Sequence, residues 1–269
     1  DLMDQPPRTP EELESISRSL QDSGRIPYGY VWQGRQYEGL SCVYLEMIEG
    51  FGGEWLTPET GRVGLDQAPG IAATRWLDDL IEAGISPRAV TNFSESEALQ
   101  SFKSGQAAFM RNWPYAWAEL QKNDSAVNNK VGITTMVAQA GEKPAATLGS
   151  WGLSLLSGSA RPESTVEAFK FLTSEDSQRY LYTNFGYTPT QNALFNDQDL
   201  LQNHPSLASI GEALSFARSR PETPLYAQVS DVLQRKLSST LTGLTSPTQG
   251  MEQAERSTEQ VLEAAGGTP

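Results

Sequence analysis

Two short aromatic clusters carry the residues best suited to bind a ligand. Trp113 and Tyr115 flank a proline, and Trp151 lies between Ser150 and Gly152. Rings with small or rigid neighbours are poorly placed for core packing and well placed to present a flat face. A sugar stacks its apolar C–H face on indole or phenol, while amide and charged groups bind its hydroxyls. The clusters therefore predict a carbohydrate site, and core packing is the alternative for each ring.

Arg220 is a candidate for the polar part of such a site. It lies in the turn-rich segment SRPETP at residues 219–224. Its guanidinium group offers paired N–H donors that suit ligand oxygens. A surface salt bridge explains the same position equally well, so both roles stay open.

The motifs of common enzymes are absent from the sequence. It contains no nucleophile elbow, phosphate-binding glycine loop or EF-hand spacing. One Cys (Cys42) and one His exclude a Cys/His zinc site and a multi-histidine metal cage, so neither a metal nor a cofactor is expected. A glycosidase remains the alternative, because its two carboxylates could lie anywhere among the 33 acidic residues.

Charge and length limit the possible partners and the domain organisation of the protein. The formal net charge of −13 argues against nucleic acid as a partner, which would require a basic surface. The sequence contains no run of about 18 apolar residues, so no membrane span is predicted. A length of 269 residues suits one large domain or two small ones. The first residues lack the features of a signal peptide and read as a loop, so we expect that an N-terminal part is missing.

Helix caps and apolar spacing predict helices that alternate with short strands. Thr9 is expected to cap a helix, because it precedes Pro10 and two acidic residues. A capping box from Ser94 to Glu97 begins another. Further helices are expected at about 36–49, 69–83, 226–241 and 247–264, and strands at about 26–32, 107–110, 131–137 and 151–156. This alternation is typical of an α/β fold.

Several segments together match a known family in order and spacing. They include PPRTPEEL at 6–13, IPYGYVWQGRQYEG at 26–39, FKSGQAAFMRNWPY at 102–115, LGSWG at 148–152, AFKFL at 168–172, GYTPT at 186–190 and RPETPLY at 220–226. Over essentially its whole length, the chain resembles the sugar-binding proteins of ABC importers, extracellular solute-binding family 1. The resemblance implies an α/β, periplasmic-binding-protein-like fold. Its two lobes are joined by crossover strands and close on the sugar.

The resemblance also implies a set of ligand-binding residues. The aromatic side chains would stack on the sugar, the backbone at 149–150 would form a wall, and the arginine would bind hydroxyls. Members often carry Gly-Gly-Trp where this chain has Gly-Ser-Trp at 149–151, which leaves the identity of the sugar open. The implied residues are Trp113, Tyr115, Gly149, Ser150, Trp151 and Arg220, with Tyr37 and Glu38 near the cleft.

Members of this family are longer at the N-terminus by most of one lobe. The comparison predicts that residues 1–152 form the first part of the C-terminal lobe. Residues 153–192 would belong to the N-terminal lobe, and residues 193–269 would supply the closing helices of the C-terminal lobe.

The implied function is capture without catalysis. The protein would bind a di- or oligosaccharide of the maltose or trehalose type and deliver it to the permease subunits of an ABC transporter. It would be monomeric and periplasmic or extracellular, anchored as a lipoprotein in its full-length form. A carbohydrate-active enzyme such as a glycosidase is the alternative.

Overall fold

Helices alternate with short strands, which confirms the α/β class expected from the sequence. The computed structural model describes residues 3, 5–57, 60–264 and 266. In these ranges no helix combines the length and apolar character needed to cross a membrane. The elements in chain order are α1 (Pro10–Asp22), β1 (Tyr28–Val31), α2 (Glu38–Gly50), α3 (Ala68–Glu82), a 3₁₀ helix (Arg88–Asn92), α4 (Glu95–Lys103), β2 (Ala107–Met110), α5 (Ala116–Leu120), β3 (Ala146–Thr147), α6 (Pro162–Leu172), α7 (Glu175–Phe185), α8 (Asn192–Phe195), α9 (Gln198–Asn203), α10 (Ser206–Ser215), β4 (Ala217–Arg218), α11 (Tyr226–Leu241) and α12 (Pro247–Ala264).

The chain divides into two compact units. Unit 1 contains Asp1–Asn112, Thr135–Leu148 and Phe216–Pro269, and unit 2 contains Trp113–Thr134 and Gly149–Ser215. These boundaries differ from the lobe segments expected at 1–152, 153–192 and 193–269. The assignment of those segments to lobes stays a prediction.

The predicted helix caps are confirmed. In α1, Thr9 accepts a hydrogen bond from the backbone N–H of Glu12 at 3.2 Å, and the Glu12 side chain bonds back to the cap residue. In α4, the Glu97 carboxylate accepts from the backbone N–H of Ser94 at 2.8 Å. Each cap satisfies backbone donors that the first helical turn leaves without partners, so local sequence alone fixes where these helices begin.

The core of unit 1 surrounds α2. This helix contacts α3, α11 and β3, and nearly all its side chains are buried. A helix covered on several sides needs apolar residues all round rather than a single stripe. Trp32 and Trp55 are fully buried in the same core, and Trp76 is nearly so.

Two short parallel strand pairs lie in unit 1. In the first, β1 pairs with β2 and places Tyr28 opposite Ala107. In the second, β3 pairs with β4 and places Thr147 opposite Arg218. The strands expected at 131–137 and 151–156 do not form. A strand needs a neighbour for its backbone hydrogen bonds, and in the described residues these two runs pair with none.

A buried ion pair joins α2 to the residue that follows β2. Glu46 accepts hydrogen bonds from Nε and Nη2 of Arg111 at 2.9 and 2.5 Å, and both side chains are at least 96% shielded from solvent. Gln33 bonds Arg111 through both ends of its amide, at 3.0 and 3.1 Å. The backbone N–H of Thr147 donates to Glu46 at 3.1 Å. The pair therefore ties α2, β3 and the ends of β1 and β2 to one point.

Unit 2 has a small core and a large exposed apolar surface. Its core contains Tyr182, Leu194, Leu200, Leu207 and Ile210. The helix α6 contributes no buried residue at all. The large apolar residues that are exposed in this unit are Trp151, Leu153, Leu155, Leu156, Val166, Phe171, Leu172, Tyr180, Phe185, Tyr187 and Leu214.

Replacing Arg111 with methionine should lower the free energy of unfolding by about 3–5 kcal/mol, because the Glu46 charge would remain buried without its partner. Urea denaturation followed by the fluorescence of the buried tryptophans measures the change. The matched control is Arg88→Met, which breaks an exposed pair with Glu82 and should cost less than about 1 kcal/mol. Equal losses in the two variants would contradict a structural role for the buried pair.

The Cys42 thiol should be unreactive in the native protein. It is buried, and burial raises the pKa of the thiol to about 11. Roughly one thiol in a thousand is then ionised at pH 8, and the thiolate is the reactive form. A chromogenic disulfide reagent should label one cysteine per chain in 6 M guanidinium and almost none without denaturant. Rapid labelling under native conditions would show that the site opens.

Candidate functional site

A polar cluster centred on Glu38 forms on the surface of unit 1. Its carboxylate accepts hydrogen bonds from Arg220 Nη1 and Ser230 Oγ, both at 2.7 Å. It also accepts one from the Tyr226 hydroxyl and a longer one from Gln234 Nε2 at 3.4 Å. The Glu38 and Arg220 side chains are 40% and 33% exposed, so solvent reaches the cluster. The structure thus brings together two of the residues predicted from the sequence.

The elements explain why these groups meet. Glu38 begins α2, where a negative charge is favoured by the positive end of the helix dipole. Tyr226, Ser230 and Gln234 are four residues apart on α11, so they share one face of that helix. The guanidinium carbon of Arg220 lies 5.7 Å from the centre of the Tyr226 ring, which is within range of a cation–π interaction.

Tyr37 has a different partner from its neighbour Glu38. Its hydroxyl donates to Glu95 Oε2 at 2.8 Å. Burial raises the pKa of Tyr37, and the hydrogen bond to Glu95 raises it further. This hydroxyl therefore stays protonated at any physiological pH and remains a hydrogen-bond donor.

The predicted residues of unit 2 are aromatic or small. A Cβ added to Gly149 would lie 2.9 Å from Cζ3 and 3.0 Å from Cη2 of Trp113, so the backbone at 149 rests directly on the indole. Only glycine allows this approach without displacing the ring. Trp113 and Tyr115 are half-buried. The structure therefore brings together Trp113 and Gly149, as the two motifs suggested.

Trp151 is 97% exposed. The neighbouring Ser150 hydroxyl donates to the Trp151 carbonyl at 3.3 Å, so the local backbone is partly fixed while the ring is free. Core packing, the alternative considered for this ring, does not occur in the described structure. A free indole gains nothing by packing and remains available to a ligand.

Sequence reasoning missed three members of the polar cluster, Tyr226, Ser230 and Gln234. The signal that could have found them is their spacing of four residues from one to the next along a helix that was itself predicted correctly. The sequence also did not indicate whether Trp55 is buried or exposed. The structure buries this ring 6.1 Å from that of Tyr226. In the described residues no group of His, Cys, Asp and Glu side chains could hold a metal ion.

Comparison with known proteins identifies the class. Residues 1–179 match the bacterial extracellular solute-binding protein family. The chain belongs to this family, which is one of transport receptors rather than enzymes. The periplasmic-binding-protein fold expected from the sequence is thereby confirmed.

Individual relatives agree with this assignment. A probable ABC transporter-binding protein of Deinococcus radiodurans is 35% identical over 90% of this chain and 59% of its own length. The maltose-bound MalE3 structure of T. maritima is 35% identical, with a TM-score of 0.90 over 96% of this chain and 66% of that one. An ABC transporter solute-binding protein of Thermotoga lettingae bound with α-D-tagatose is 24% identical, with a TM-score of 0.86, 96% coverage of this chain and 66% of that one, and shows the shared fold. The chain thus spans about two thirds or less of the length of these relatives.

Replacing Trp151 with alanine should change the free energy of unfolding by less than about 0.5 kcal/mol, because the exposed ring packs against little. The matched comparison is Trp55→Ala, which removes a fully buried ring and should cost about 3–5 kcal/mol. Urea denaturation of both variants measures the difference. A large decrease in the free energy of unfolding of Trp151→Ala would show that this ring packs in a core.

Proposed function

We propose that the protein captures a di- or oligosaccharide of the maltose or trehalose type and delivers it to the permease subunits of an ABC transporter. It acts without catalysis, as a monomer in the periplasm or outside the cell, held by a lipid anchor in its full-length form. The observation that carries the proposal is the exposed Trp151 indole, which lies two residues after Gly149, whose backbone rests on Trp113.

Each unit by itself contains predicted residues whose chemistry suits a sugar. In unit 2, Trp113, Tyr115 and Trp151 offer flat apolar faces of the kind that stack on the C–H faces of sugars. In unit 1, the Arg220 guanidinium group offers N–H donors, and sugar hydroxyls are good acceptors. Arg220 suits an oxygen of a neutral, polyhydroxylated ligand better than an anion, because this exposed arginine is already paired with the Glu38 carboxylate.

The relatives support a sugar as ligand. The T. maritima protein described above binds maltose. A protein of Pyrococcus abyssi that is 23% identical over 85% of this chain is a maltotriose-binding protein. These names come from proteins longer than this chain, so the choice among sugars rests on experiment.

The exposed apolar surface of unit 2 fits a longer receptor. We propose that residues 153–192 belong to the N-terminal lobe, with residues 1–152 and 193–269 belonging to the C-terminal lobe. The support is that α6, in this segment, buries no residue, and that the relatives contain additional sequence. Residues of such a lobe would cover apolar side chains that water now contacts.

A titration panel tests the function. The complete gene product is mixed with maltose, trehalose and sucrose, while tryptophan fluorescence and sugar products are both followed. We expect a saturable fluorescence change with at least one sugar and no product. Product formation would favour the glycosidase alternative, and the absence of any saturable change with all three sugars would contradict the proposal.

Trp151→Ala should weaken binding of the responding sugar by about 30-fold or more, because a stacked aromatic side chain is typical of a binding hot spot. The control is Leu244→Ala, which removes an apolar side chain that is 78% exposed and lies outside the predicted site. Its affinity should equal that of the wild type. Unchanged affinity in Trp151→Ala would remove this ring from the site.

A further inference from the structure

The Glu38 carboxylate has no acceptor position left for a ligand. A carboxylate has about four lone-pair sites, two on each oxygen. Oε1 accepts from Arg220 Nη1 at 2.7 Å and from the Tyr226 hydroxyl. Oε2 accepts from Ser230 Oγ at 2.7 Å and from Gln234 Nε2 at 3.4 Å. A sugar hydroxyl could bond this group only by displacing one of these donors.

A second layer fixes the direction of these bonds. Ser230 has a single hydroxyl proton, and its bond to Glu38 uses that proton. The 2.8 Å contact between the hydroxyls of Ser41 and Ser230 must then have Ser41 as the donor. Gln234 also donates to Ser230, at 2.9 Å. Because Ser41 and Ser230 are buried, this layer orders the carboxylate from beneath.

Arg220, unlike Glu38, keeps hydrogen-bonding groups that the rest of the described chain does not use. A guanidinium group has five N–H donors. In the described residues, the only side-chain hydrogen bond of Arg220 is the one from Nη1 to Glu38. The group is held over the Tyr226 ring and is 33% exposed. It is therefore oriented by the protein and still able to donate to a ligand.

We propose that Glu38, Tyr226 and Ser230 are positioning residues that act on the sugar through Arg220. This inference rests on the proposed function and changes the role expected for Glu38 from ligand contact to support. Arg220 offers only donors, so it recognises the sugar through oxygens that accept hydrogen bonds. A ligand that presents only donors to Arg220 gains nothing from it.

A double-mutant cycle tests the proposal, with sugar affinity measured in the complete gene product. Glu38→Gln should weaken binding about tenfold, because Arg220 loses its charged partner. Arg220→Ala should weaken it by at least as much. Since Glu38 acts through Arg220, the double variant should bind no more weakly than Arg220→Ala alone.

The control is Glu49→Gln. Glu49 lies on α2, like Glu38, and is paired with Arg218 on β4. The control substitution therefore alters another Arg–Glu pair of the same helix. Its affinity should match that of the wild type. If Glu38→Gln fails to fold, Ser230→Ala replaces it in the cycle, with the same expected non-additivity. Thermal unfolding midpoints are recorded for every variant, since loss of structure would move these without producing the coupling.

The outcomes separate the two proposals. If the wild type binds none of the sugars, the proposed function is wrong and this inference fails with it. If the wild type binds and the losses from Glu38→Gln and Arg220→Ala multiply, Glu38 contacts the sugar directly and only the positioning role is overturned. If the double variant equals Arg220→Ala, the positioning role is supported.

Discussion

The buried pair of Arg111 and Glu46 is the constraint on which unit 1 depends. Two charges removed from water cost free energy that their attraction offsets only when their remaining donors and acceptors are also bonded. Here Gln33 and the backbone of Thr147 supply those bonds. Arg111 and Thr147 each lie just before a point where the chain leaves unit 1, after residues 112 and 148. The same pair that holds the core together therefore anchors the two residues next to these chain crossings to the core of unit 1.

The surface cluster around Glu38 applies the same principle where solvent can reach it. A carboxylate is again surrounded by donors, yet its arginine keeps most of its N–H groups. The difference lies in burial: Arg111 is 4% exposed and its charge serves the fold, whereas the Arg220 side chain is 33% exposed. These two Arg–Glu pairs on α2 thus differ in depth: the buried pair serves the fold, and the exposed pair is the one for which we propose a role in ligand recognition.

Local signals in the sequence predicted the helices well, because caps such as Thr9 and the Ser94–Glu97 box act over four residues. The α11 bounds and the β2 strand were also predictable from apolar spacing. The strands expected at 131–137 and 151–156 were wrong, since pairing depends on residues distant in sequence. In the same way, the aromatic motifs indicated Trp113 and Trp151, but no local pattern showed that four donors from one loop and one helix converge on Glu38.

The exposure of α6 has a consequence for local order. A helix of 11 residues is marginal in water unless a packed face supports it, and none of its residues is buried. The stability of α6 therefore depends on the surface against which it packs. In hydrogen-exchange terms, α6 belongs among the segments that open most easily, and slow exchange of its amides would report that a partner surface has covered it.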